Sequence, residues 1–200
     1  MVAIIDYGMG NVASVQKAIR FLKIDCCITS DFSVIEGSTH IILPGVGAFY
    51  QGMKNLKERG LIELLSNEVL RKKKKFMGIC LGMQLLAEKG FESCESDGLG
   101  WVKGEVVRLD PKSKIIPHMG WNNIEVRNDT FFKGIPNNDF YFIHSYHFVP
   151  ESPDIIAATV NYELEYVASI QHDNIFATQF HPEKSQNSGL AVLKSFLTHA

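Results

Sequence analysis

Cysteine, histidine and glutamate occur in this chain with the spacing of a thiol-based acyl-transfer site. Gly78-Ile79-Cys80-Leu81-Gly82 sits where an apolar run, Phe76 to Ile79, gives way to helical spacing over Leu81 to Glu88. It is the cysteine counterpart of the G-x-S-x-G nucleophile elbow. Flanking glycines let the chain bend sharply without Cβ clashes, and a following helix N-terminus favours thiolate. A lone cysteine reads first as core packing, since free cysteine is among the most buried residue types. The glycine frame and the strand-to-helix position favour a nucleophile instead. Cys26, Cys27 and Cys94 lack that frame and read as packing residues.

A thiol nucleophile needs a base, later an acid. Of seven histidines, His181 directly follows the apolar run Ile175 to Phe180, Pro182 stops the strand, and Glu183 stands beside it. A carboxylate there can hold one imidazole nitrogen and aim the other at the thiol. Glu183 alone would read as a solvated surface acid. His40, His172 and His199 have ordinary surroundings, and His118, His144 and His147 lie near aromatic residues as structural histidines would. Attack on a carboxamide also creates an oxyanion that needs donors. The Leu81 N–H is one candidate. The loop Pro44-Gly45-Val46-Gly47 could offer others, although taken alone it reads as an ordinary turn. Gly8 and Gly10 invite comparison with dinucleotide-binding loops, but position 13 is alanine and Asp31 follows no clean strand end. No nicotinamide cofactor is expected.

These residues require a scaffold that brings strand ends together. Val2 to Ile5, Ile41 to Leu43 and Phe76 to Ile79 have buried-strand character, and Asn11 to Phe21 has helical spacing through Val12, Val15 and Ile19. Leu56 to Leu70 reads as helix, in two pieces divided at Gly60. Such alternation implies a parallel sheet covered on both faces, whose functional crevice lies outside the carboxyl ends of the strands. Beyond Trp101, strands are expected at Val102–Leu109, Ile124–Val126, Asp139–Ile143, Ile155–Val160, Tyr166–Ile170 and Ile175–Gln179, extending or flanking that sheet. A helix over Gly189–Leu197 closes the chain. The expected fold is α/β: a doubly wound, mostly parallel sheet with flanking helices and a β-rich C-terminal half, as one domain over residues 1–200.

Composition agrees with a globular domain: 46% hydrophobic and 21% charged residues, with a formal net charge of −2. Nothing in that charge points to nucleic acid, and no apolar run approaches the ~20 residues a membrane span needs. The four cysteines form neither a metal-site spacing nor a disulfide framework, which favours a cytoplasmic setting. No metal is expected. Arg71-Lys72-Lys73-Lys74-Lys75 reads as a solvated helix end rather than a polyanion site.

Gly78 to Gln84 together with Phe180-His181-Pro182-Glu183-Lys184-Ser185 resembles the class I (triad) glutamine amidotransferases. Ile5 to Asn11, Leu43 to Phe49, Pro117 to Asn122 and Tyr141 to Tyr146 resemble, more narrowly, the glutaminase subunits of imidazole glycerol phosphate synthases. The likeness runs in order from end to end of the chain. It implies a triad of Cys80, His181 and Glu183, an oxyanion N–H at Val46, and glutamine contacts at Gly47, Gln84 and Glu92 and at the backbone of Ser145 and Tyr146. The family's oxyanion loop can require a peptide rearrangement linked to the partner. The Glu92 assignment rests on spacing from Cys80, because Ala87 to Glu92 follows no sharp motif. The resemblance further implies a heterodimer with a (β/α)8-barrel cyclase, with Asn11, Trp121, Tyr141 and Lys184 at or near the interface. Glutamine is then the substrate, without cofactor, and the ammonia passes to the cyclase, which makes imidazole glycerol phosphate and aminoimidazole carboxamide ribotide in histidine biosynthesis. Two enzyme alternatives share this triad: a paralogous glutaminase feeding a sugar-modifying partner in polysaccharide biosynthesis, and a stand-alone cysteine hydrolase. A binding module with a vestigial triad is the non-enzymatic alternative.

Overall fold

The computed structural model describes residues 1–128 and 130–199. Strands β1 (Val2–Ile5), β2 (Cys26–Thr29), β3 (His40–Gly45) and β4 (Lys75–Cys80) alternate with helices α1 (Val12–Phe21), α2 (Phe32–Glu36), α3 (Phe49–Glu58) and α4 (Leu61–Ser66). Helix α5 (Leu81–Gln84) follows β4 directly. Two short strands, β5 (Lys89–Gly90) and β6 (Ser96–Asp97), lead into β7 (Gly104–Arg108), β8 (His118–Val126), β9 (Asp139–His144) and β10 (Tyr146–Pro150). The chain then forms β11 (Ile156–Tyr162), β12 (Leu164–His172), β13 (Ile175–Thr178) and the final helix α6 (Gln186–Thr198).

Nine strands form one sheet in the order β2-β1-β3-β4-β13-β12-β11-β8-β9. β13 returns to pair parallel with β4, whereas β12, β11, β8 and β9 continue the sheet antiparallel. A second sheet, β10-β7-β5-β6, flanks it. The β-rich half thus both extends and flanks the parallel sheet.

The continuous apolar runs of the parallel strands have a simple cause: both faces are covered. Val2 and Ile4 of β1 enter a core beneath α1 and α6, while Ala3 and Ile5 enter the opposite core with α3 and α4. Met77 and Phe76 of β4 divide the same way. Each of these side chains larger than alanine contributes on the order of 1.5–3 kcal/mol by burial.

Several boundaries differ from the sequence expectation. The helix expected over Leu81–Glu88 stops at Gln84, because the N–H groups of Leu99, Gly100, Trp101 and Val102 take the carbonyls of Leu85, Ala87 and Leu86 and turn the chain into the small sheet. The helical region expected from Leu56 starts at Phe49 and divides at left-handed Gly60, φ 66°, as its glycine suggests. Beyond Ser66 it passes into a π turn at Asn67–Arg71. β2, α2, β5, β6 and β10 were not anticipated, being short or lacking clean alternation. Asp31 does follow a strand, β2, and its carboxylate caps α2 by accepting from the Val34 N–H at 3.1 Å. Cys26 is buried as a packing residue, but Cys27 is half-buried and Cys94 exposed. Cys94 lies in the loop between β5 and β6 rather than in a core.

The basic run is not merely a solvated helix end. Lys72 and Lys74 reach the buried Glu68 carboxylate at 2.6 and 2.7 Å, and Lys74 also donates to the carbonyls of Ile35 and Glu36 that end α2. Lys75 donates to the His199 carbonyl. These cations tie elements together, which explains the run without a polyanion. Among the described residues no helix is long and apolar enough to cross a membrane.

Candidate active site

β3 and β4 end side by side, with Gly45 in register with Cys80. The expected oxyanion loop and the expected nucleophile therefore leave the sheet at the same edge. Cys80 turns the corner at φ 54°, ψ −108°, a region that L residues avoid at a cost of about 1–3 kcal/mol. The bend can close because its flanks lack side chains. A Cβ on Gly82 would stand 1.8 Å from the Leu43 carbonyl oxygen, and one on Gly78 would stand 2.6 Å from the Gly82 carbonyl oxygen. Because α5 is a single turn, any macrodipole support for thiolate is less than a longer helix would supply.

On the other side, β13 pairs parallel with β4 through Thr178 and Ile79. His181 comes just past that strand end and is nearly fully buried, at 1% exposure. Its N–H donates to the Tyr141 carbonyl at 2.9 Å, and the Ser185 hydroxyl donates to the His181 carbonyl at 2.7 Å. These contacts fix the backbone. Nδ1 then meets the Glu183 carboxylate at 2.8 Å, with that side chain only 2% exposed. Nε2, the nitrogen left over, is buried without an aligned hydrogen bond. Burial works against an imidazolium here, but the neighbouring Cys80 sulfur and the Glu183 carboxylate outweigh it and raise the pKa to about 10. The imidazole is therefore held protonated beside the sulfur. Loose alignment is usual for such pairs before substrate binds.

A cavity of about 410 Å³ opens over Cys80. Val46, Gly47, Leu81, Gln84, Glu92, Ser145, Tyr146 and Lys184 are among the residues that line it. All the residues expected to hold glutamine thus meet at one cavity. Gly47 has φ +105°, so the loop adopts a backbone that side-chain-bearing residues rarely tolerate. Both amide hydrogens of Gln84 are engaged, one with the Tyr146 carbonyl at 2.9 Å and one with Gln179 Oε1 at 3.0 Å. What Gln84 can still offer a ligand is an acceptor oxygen. Glu92 Oε2 accepts from the Phe49 N–H at the start of α3, at 2.8 Å, so here its carboxylate caps a helix as well as edging the cavity.

Trp121, Tyr141 and Lys184 also come together. Trp121 and Tyr141 are register partners on β8 and β9 with rings edge-to-face at 6.2 Å, and Lys184 Nζ stands 5.6 Å from the Tyr141 ring centroid. Asn11 caps α1 through the Ser14 N–H at 3.4 Å. Sequence reading missed two buried polar residues. Gln179 Nε2 donates to the Cys80 sulfur at 3.6 Å, and its signal was a polar residue inside an apolar run. Tyr7 is fully buried with an unpaired hydroxyl close to Gly45. Burial, with Cys80 nearby, pushes its phenol well above the ordinary range. Among the described residues no three His, Cys, Asp or Glu side chains are grouped to hold a metal ion.

The family model "Glutamine amidotransferase class-I" matches residues 3–200. The chain is 47% identical to imidazole glycerol phosphate synthase subunit HisH 1 of Campylobacter jejuni, covering 98% of each chain. It is 48% identical to subunit HisH of Caldanaerobacter subterraneus, covering 98% of this chain and 97% of that one. Among solved structures, the fold is similar to one titled as a glutamine amidotransferase, with TM-score 0.78, 20% identity, and coverage of 98% of this chain and 97% of that one. PurLQS from Thermotoga maritima is similar too, with TM-score 0.76, 19% identity, and coverage of 99% and 97%.

Proposed function

We propose that this chain, which belongs to the class I glutamine amidotransferase family, works as the glutaminase subunit of an imidazole glycerol phosphate synthase in histidine biosynthesis. The observation that carries the reading is the triad arrangement. A strained Cys80 lies at one strand end, and a buried His181, raised by that sulfur and locked to Glu183 at 2.8 Å, lies at the next.

In this reading the Cys80 sulfur attacks the carboxamide carbon of glutamine. The carbonyl oxygen becomes an oxyanion, received by the N–H groups of Leu81 and Val46. His181 returns a proton to the departing nitrogen, leaving ammonia and a Cys80 thioester. Water, deprotonated by His181, then attacks the thioester carbon, and glutamate leaves as the sulfur is expelled. Glu183 holds the imidazole in the required tautomer and stabilises its charge without accepting the proton. Gly47, the Gln84 oxygen, Glu92 and the Ser145–Tyr146 backbone bind the amino-acid end. Residues 1–200 act as one glutaminase domain, which fits a cytoplasmic enzyme without cofactor.

The ammonia is delivered to a partner cyclase of (β/α)8-barrel form. Support for the docking face is the exposed apolar surface beside the cavity. Met119 and Ile143, register partners on β8 and β9, are 63% and 36% exposed, and Trp121 is 49% exposed. Trp121, Tyr141 and Lys184 stand on that face, and Asn11 begins α1, which packs against the Pro182–Lys184 turn.

Reconstitution with the cyclase tests the whole reading. Glutamine hydrolysis is expected to be weak alone and strongly activated by the cyclase and its ligand. Cys80→Ala should lower glutamine-dependent synthesis by about 10⁴-fold or more while ammonia-dependent synthesis by the complex persists. Loss of both activities would contradict separate sites, and steady hydrolysis of larger amides without a partner would favour a stand-alone hydrolase.

A further inference from the structure

Two of the histidines that read as structural form a directional array beside the glutamine pocket. His118 on β8 and His144 on β9 are register partners, and both are buried. His118 Nδ1 lies 3.1 Å from His144 Nε2, and His144 Nδ1 lies 2.9 Å from the Tyr146 carbonyl oxygen. Asn122 Nδ2 lies 3.2 Å from His118 Nε2.

These distances admit one polarity. A carbonyl only accepts, so His144 Nδ1 carries a hydrogen. A neutral His144 then accepts at Nε2, His118 Nδ1 donates to it, and His118 Nε2 accepts from the Asn122 amide. Asn122 Nδ2 also donates to the Asn161 carbonyl at 2.9 Å, which fixes the amide's orientation. Phe142 and Tyr162 sandwich the His118 ring with centroids at 4.8 and 4.1 Å, leaving it little room to turn. A proton on His144 would bring two N–H groups face to face across the 3.1 Å contact. Burial keeps that from happening. It holds His118 at about 4 with Lys114 adding to the effect, and His144 at about 3 with His118, His147 and His181 adding to it.

The array ends on the Tyr146 carbonyl, which also accepts from Gln84, and Gln84 continues through Gln179 to the Cys80 sulfur. We propose that His118 and His144 are positioning residues for the glutamine pocket, their fixed tautomers pinning the Tyr146 carbonyl and, through it, the Ser145–Tyr146 backbone and the Gln84 amide. This rests on the glutaminase reading above. Both rings act through Tyr146 rather than on the reacting carbon.

The test compares His118→Phe, which keeps a stacking ring but removes the donor, with His118→Asn, which retains a donor near the Nδ1 position. In the reconstituted synthase, His118→Phe should raise KM for glutamine about tenfold with a smaller loss in kcat. His118→Asn should recover most of that loss. Nitrogen-15 NMR of the wild-type imidazoles should find both rings in the Nδ1–H tautomer and uncharged at pH 7. An unchanged KM in a folded His118→Phe, or an Nε2–H form on either wild-type ring, overturns the inference. If His118→Phe does not fold, the wild-type tautomers decide. A wild-type synthase unable to use glutamine would instead sink the glutaminase reading itself, which the tautomer spectrum does not address.

Discussion

The two halves of the site are built by different means. On the β3–β4 side the parts are backbone: a strained Cys80, a loop with Gly47 at φ +105°, and glycines packed so closely that a Cβ on Gly82 would meet Leu43 at 1.8 Å. On the β9–β13 side the parts are side chains in hydrogen-bond chains, His181 with Glu183, His118 with His144, and Gln179 with Gln84 and Cys80. In the proposed mechanism the nucleophile and oxyanion loop need fixed directions of attack, which backbone geometry sets, while the base and the substrate wall need chosen protonation states, which buried partners set. Substitutions should therefore fail differently on the two sides.

The largest expected effects after removal of the nucleophile fall on the side-chain half. His181→Ala should lower kcat for glutamine hydrolysis by about 10²–10⁴-fold, as loss of a general acid–base does. Glu183→Gln keeps a hydrogen-bonding shape and should cost about 10–100-fold, the loss expected when a charged partner becomes neutral. Steady-state kinetics of the reconstituted complex checks both, and equal losses would argue against an orienting role for Glu183. On the backbone half, Gly82→Ala should act on folding before chemistry. Its Cβ presses on the Leu43 backbone, which cannot step aside as a side chain could, so a loss of about 3 kcal/mol or more is expected. Thermal unfolding should show the midpoint lower by roughly 6–12 °C. A Gly82→Ala protein that melts like wild type would show that the elbow is less tightly packed than described.

The same contrast explains what the sequence revealed. The backbone half was legible because its signals are local: Gly78 and Gly82 frame Cys80 within a few residues, and Gly60 marks a helix break. His181 and Glu183 were legible for the same reason, being neighbours. Gln179 was not, because its meaning comes from Cys80 across the β4–β13 pairing. His118 and His144 read as separate structural histidines, since only the β8–β9 register makes them one array. Likewise, Leu81–Glu88 reads as one helix until residues 99–102 claim its carbonyls. Cys94 lacked a frame in sequence but proved exposed, because burial of a lone cysteine depends on contacts that spacing does not encode.

The central claim is that the Cys80 sulfur and the His181 ring meet, with the sulfur helping to hold the imidazole charged, and titration of His181 tests it most directly. Burial depresses the imidazolium, while Cys80 and then Glu183 raise it to about 10. That value lies above the unfolded reference of about 6.5. The stabilising contribution of the charge is thus complete below that reference and is lost as pH rises through the folded value. By NMR, wild-type His181 should remain cationic from pH 7 until the pH nears 10, and Cys80→Ala should lower its pKa by removing the neighbouring sulfur. A wild-type His181 already neutral at pH 7, or one that titrates identically in Cys80→Ala, would contradict the pairing.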